Sequence, residues 1–146
     1  MTILPIVIGI FAFIELLNIL VLYTNPGCGH GNSLGFFSAY EQSKENKEVH
    51  ALVTYLVYWV AGSKLIFIGL LTIIILTGNW LTQALSVIVL LLTTSTFFWK
   101  MYPIIRKMDK NNQLTVSGYS KKLVFMIISF LIMFFVALLI EILFFH

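Results

Sequence analysis

Two residues in this sequence carry acid–base chemistry where no water is expected. Glu15 lies within IFAFIELLNIL, and Lys64 within AGSKLIF, where it is the only charge between Ala51 and Thr77. An unpaired charge at a bilayer centre costs about 2.5–3.5 kcal/mol or more. A carboxylate and an ammonium there have two uses: to neutralise one another across helices, or to pass a proton or cation. Asn18, one turn beyond Glu15, is a further polar group at the same level.

The other candidates are weaker. Cys28 and His30, with Glu48 and His50 at the far end of the same loop, bear metal-ligating atoms. A closed zinc site takes four ligands, often thiolates in C-x2-C pairs. The chain has one cysteine, so no metal centre is expected, and Cys28 should be a free thiol in a reducing compartment. His30, His50 and His146 do not set two ligands at one depth on facing helices, so haem is not expected either, nor any other cofactor. The loop glycines lack the Gly-Lys-Ser/Thr continuation of a phosphate loop. Residues from Asp109 onward depart from a calcium loop at Leu114 and Ser120. No nucleophile–base pair or carboxylate dyad is apparent, so no catalytic residue is assigned and an enzyme is the weakest class.

The elements that must position Glu15 and Lys64 follow from composition. Of 146 residues, 60% are hydrophobic and 10% charged, against about 25% charged in soluble domains. Four apolar stretches, 3–23, 51–77, 81–105 and 122–145, each reach the roughly 20 residues that span a bilayer. Each is expected to be helical, because hydrocarbon leaves backbone groups no outside partner. The expected fold is an all-α, four-transmembrane-helix bundle, one integral membrane domain over residues 1–146. The first stretch lacks a basic leader and contains Glu15, which argues against a cleaved signal.

Charge sets the expected orientation. Of nine basic residues, Lys44 and Lys47 lie in the first loop. Lys100, Arg106, Lys107, Lys110, Lys121 and Lys122 lie where the third span meets the fourth. Only Lys64 lies elsewhere. Loops 24–50 and 106–121 are therefore expected in the cytoplasm and both termini outside, with the chain a multi-pass protein of the cell membrane. Tyr23, Tyr55, Tyr58, Trp59, Trp99 and Tyr102 mark the inner boundary, and Trp80 the outer one. Counted from Tyr58 and Tyr23, Lys64 and Glu15 lie about 9 and 12 Å deep. Similar depth on consecutive helices predicts that they meet. Glu141, five residues from the C-terminus, is expected to reach water at the outer surface.

Between the spans, 25–35 is glycine-rich and is expected to be a flexible connector, while 33–48 suggests a short interfacial helix. Ser120 is expected to cap the last helix. Gln83, Ser86, Thr93, Thr94, Ser95 and Thr96 are expected to hydrogen-bond across helices, and 130–136 to face lipid or a partner. The basic residues need no nucleic acid. Their expected partners are anionic lipid headgroups at Lys121, Lys122, Arg106 and Lys107, alongside the bilayer itself and either a second copy or another membrane protein.

In position, the Glu15 carboxylate resembles the first-helix glutamate of small four-helix multidrug transporters. The likeness is one carboxylate at one depth, and it implies proton or cation exchange at Glu15. The favoured function is an accessory or assembly component of the cytoplasmic membrane whose ion pair is structural. The alternative is a small ion- or proton-coupled transporter using Glu15 and Lys64.

Overall fold

A computed structural model of the chain describes residues 3–145. In chain order it contains α1 (Leu4–Thr24), a 3-10 turn (Leu34–Phe36), α2 (Ser38–Ser43), α3 (Lys47–Thr77), α4 (Trp80–Ser95), α5 (Phe97–Lys110) and α6 (Tyr119–Phe145). Four stretches are long and apolar enough to cross a membrane: α1, α3, α4 with α5 taken together, and α6. The chain is thus a small all-helical, multi-span membrane protein with short helical pieces in its first loop.

Local chemistry sets the helix ends. Pro5 sits in the first turn of α1, where its missing N–H has no intrahelical partner to lose. The Asn46 side chain accepts from the N–H groups of Glu48 and Val49 at 3.0 and 3.3 Å. That cap starts α3 one turn before the apolar stretch begins. Asn79 likewise caps α4 through the Thr82 N–H at 2.9 Å.

Two boundaries differ from expectation. The third span divides at Thr96. Just before the division, Thr93 and Ser95 hydroxyls donate to the Val89 and Leu91 carbonyls, both at 2.7 Å, and Thr96 Oγ1 donates to Thr93 at 2.6 Å. Hydroxyls that bond back to the helix's own carbonyls weaken and bend it slightly; single ones at Ser63, Thr72 and Ser129 leave α3 and α6 continuous, whereas several cluster here. Pro103 removes one backbone N–H within α5. The other difference is the start of α6. Ser120 already lies inside the helix, and the capping group comes from Asp109. Its carboxylate accepts from the Gly118 and Ser120 N–H groups at 2.9 and 3.0 Å and from Ser120 Oγ at 2.5 Å. A carboxylate from a neighbouring helix satisfies orphan donors as a local cap would, and adds the favourable dipole term.

Packing is uneven along the bundle. At the end holding the α3–α4 turn, Val7, Ile8, Phe11, Leu71, Val87 and Phe134 belong to one dense core built from α1, α3, α4 and α6. Phe130 and Phe134 point into that core, so 130–136 is not a wholly outward face. On a helix only Ile132, Phe135 and Val136 of that run can turn outward once those two face in. At the lysine-rich end α3 keeps its packing on α1, while α4 and α5 follow α6. The two helix pairs part there, and a cavity opens between them.

The same end is closed by a cap made from both long connections. Ser38 N donates to Gln113 O at 3.1 Å and Thr115 N to Phe36 O at 3.0 Å. These bonds frame an antiparallel bridge between Phe37 and Leu114. The Phe36 and Tyr119 rings stack with centroids 4.2 Å apart. Ile105, Leu114 and Tyr119 form a small apolar core beneath.

Candidate functional site

Glu15 and Lys64 meet. Lys64 Nζ donates to Glu15 Oε2 at 2.6 Å across the α1–α3 interface. The helical register makes this natural. Ile19 and Ala12 flank Glu15 on the buried face of α1, and Val57, Ala61 and Leu71 form the matching stripe on α3. A lysine three positions after Ala61 falls on the same side of its helix. Glu15 is the more enclosed partner, with 13% of its side chain exposed against 33% for Lys64. The carboxylate is therefore held in the interface, and the longer ammonium reaches in from one side.

Both groups line the cavity between the helix pairs, about 770 Å³ in volume. Phe11, Phe67 and Phe130 form one end, with Phe11 edge-on to the other two at centroid distances of 6.3 and 5.2 Å. The walls toward the lysine-rich end are apolar, from Leu22, Val53 and Val57 on one side and Phe97, Met101 and Leu123 on the other. Thr93 and Thr96 also line it, with their hydroxyls donated to their own helix. The expectation that helix hydroxyls tie neighbouring helices together is corrected here. Ser86 Oγ donates to the Thr82 carbonyl at 2.7 Å. For a hydroxyl the i−4 carbonyl is already within reach, so it needs no partner on another helix.

Asn18, buried on the same face of α1, lies against the segment that follows the helix. The segment after α1 turns back into the bundle, and Gly31 approaches so closely that a Cβ there would lie 2.7 Å from Asn18 Oδ1. Asn18 lies six residues before the end of α1, about 9 Å inside it. The segment is held as a compact loop by Leu34 N donating to Pro26 O at 2.7 Å and by Ser33 Oγ bonding to Cys28 O. Leu34 packs among Ile19, Leu22, Val57 and Ala61. The glycine-rich stretch is thus a re-entrant plug, not a loose connector. Ser33 is buried and Leu34 packs on the bundle, while Gly29, His30 and Gly31 stay exposed, so the inner part of this irregular backbone is the part that protein shields. Gly31 takes φ +60°, a left-handed conformation that glycine adopts without strain.

Glu141 is also corrected. It is 1% exposed and does not reach outward. Its Oε2 accepts the Ile3 N–H at 3.1 Å. A carboxylate from the last helix thereby meets an orphan donor at the start of the first, at the positive end of its dipole. Position near the C-terminus could not reveal which side of α6 faces α1.

The loop candidates go to separate tasks. His50 Nδ1 lies 3.0 Å from Ser43 Oγ, which joins α2 to α3, and its ring lies 5.6 Å from that of Tyr40. Cys28 is a free, half-buried thiol in the plug, beside the His30 carbonyl. Among the described residues no three of His, Cys, Asp and Glu converge as a metal site would require. His146 lies outside the described residues. Compared with family models, with curated proteins and with solved structures, the chain matches none.

Proposed function

We propose that this chain is an accessory or assembly component of the cytoplasmic membrane, in which the Glu15–Lys64 pair fixes how α1 and α3 pack. The observation that carries this is the closed 2.6 Å contact across that interface. Each charge neutralises the other where neither has a second charged partner among the described residues. The zipped cap supports the same role, because it offers an ordered surface outside the bilayer for another membrane protein or a second copy. Glu15, Asn18 and Lys64 are then the central residues, and the chain acts as one integral membrane domain. Arg106, Lys107, Lys121 and Lys122 attract anionic headgroups at about 1 kcal/mol each near the surface.

A second reading, ion- or proton-coupled transport, is favoured by the pair's position on a cavity wall. Flux through reconstituted liposomes separates the two. For the accessory role, proton and cation flux equals that of empty liposomes in wild type and in Glu15→Gln. Flux in wild type that disappears in folded Glu15→Gln would replace that role with transport.

The same proposal places the lysine-rich cap in the cytoplasm and both termini outside. Cys28, the sole cysteine, reports on this directly. A membrane-impermeant maleimide should leave intact cells unlabelled and label Cys28 once the membrane is permeabilised. Equal labelling of intact cells would invert the topology.

A further inference from the structure

We propose that the cavity between the helix pairs binds a neutral lipid with one apolar tail and a planar, carbonyl-bearing head, a quinone-type lipid, and that Lys64 donates to its carbonyl oxygen. Four observations converge on that chemistry. First, the pair brings no net charge into the cavity. An anionic or cationic head beside it would restore an unbalanced charge at hydrocarbon depth, so the head must be neutral. Second, an ammonium has three donors, and among the described residues the one partner of Lys64 Nζ is Glu15 Oε2. The remaining N–H groups belong to a side chain that is one-third exposed and lines the cavity, and an oxygen acceptor satisfies them.

Third, the ring edges and faces of Phe11, Phe67 and Phe130 close the cavity beside the pair. Aromatic side chains hold a flat ring in offset or edge-on contact better than they hold a flexible chain end. Fourth, the walls from Lys64 to Val53 are almost wholly apolar. Eleven residues of α3 make that corridor about 16 Å long, which suits a single tail. The lining residues Leu56, Val60 and Met101 are exposed on the bundle's flank, so a lipid can arrive sideways from the bilayer. The volume lies within the usual range of small-molecule sites, about 300–1,000 Å³.

The inference rests on the closed pair of the proposed function, but the two fail separately. One is read as stability and the other as binding to protein that elutes folded. The test titrates the detergent-solubilised full chain with a decyl-tailed benzoquinone, using decanol and decanoate as tail-matched controls. Occupancy is counted by native mass spectrometry. The expected result is one quinone per chain, bound at least about tenfold more tightly than either control. The neutral double variant Glu15→Gln/Lys64→Met should lose at least that factor for quinone and leave decanol unchanged. Ile127→Trp, which fills the cavity from α6 and touches neither charge, should lose quinone binding as well. No binding, equal binding of the three probes, or a preference for decanoate overturns the proposal. So does wild-type quinone affinity in either folded variant.

Discussion

Lys64→Met lowers the stability of the folded chain by about 3 kcal/mol, the scale of an uncompensated charge inside a bilayer or a protein. The loss comes from what remains. Glu15 is short, 13% exposed, and its partner is the Lys64 ammonium at 2.6 Å. It cannot follow water to the boundary. The reverse change should cost less, about 1–2 kcal/mol, because a lysine stem can carry its ammonium toward the headgroups some 9 Å away. The double variant Glu15→Gln/Lys64→Met should recover to within about 1 kcal/mol of wild type, since removing both charges removes the cost of burying either. Unfolding in mixed micelles of a denaturing detergent, followed by helical circular dichroism, measures the cycle. If Lys64→Met is as stable as wild type, or the double variant is no better than the worse single one, the pair is not what joins α1 to α3.

Gly35→Ala should be the next most damaging small change, at about 2 kcal/mol, within the range of overpacked sites. A Cβ at Gly35 collides with the carbonyl oxygens of Gly27 and Cys28. Both are backbone atoms, so no flexible side-chain tip can swing aside. The plug must shift, and with it Leu34 and its contacts to Ile19 and Val57. Gly29→Ala is the internal control. Nothing lies within 4 Å of a Cβ there, and its effect should stay within about 0.5 kcal/mol. The same unfolding assay reads both. Equal effects at the two positions would mean that the loop is not packed against itself as described.

Position along the bundle axis was legible in the sequence, and lateral arrangement was not. Apolar length and aromatic placement located the spans to within a few residues. Matched distances from Tyr23 and Tyr58 predicted that Glu15 would meet Lys64, because depth alone nearly determines whether consecutive helices can pair two groups. Glu141 shows where that logic ends. Its distance from the terminus says how deep it lies, not that α1 begins beside it. Glycine-rich composition identified 25–35 as irregular but is silent on direction, since a surface loop and a re-entrant one need the same backbone freedom. The division at Thr96 falls where several hydroxyls cluster and bond back along their own helix, and whether they do so or reach another helix is a choice made by neighbours that primary structure does not name. The cavity is a property of how two helix pairs diverge, and no residue pattern in either pair encodes it alone.

The bridge between Phe37 and Leu114 also has a consequence for biogenesis. Ser38 and Gln113 are 75 positions apart, so the partner strand of the first connection is synthesised only after the third helix has been threaded. Until then Phe36 and Phe37 lack Leu114 and Tyr119, the partners they have in the finished fold. The cap therefore closes only late in synthesis, once Gln113 to Thr115 exist to meet Phe36 to Ser38.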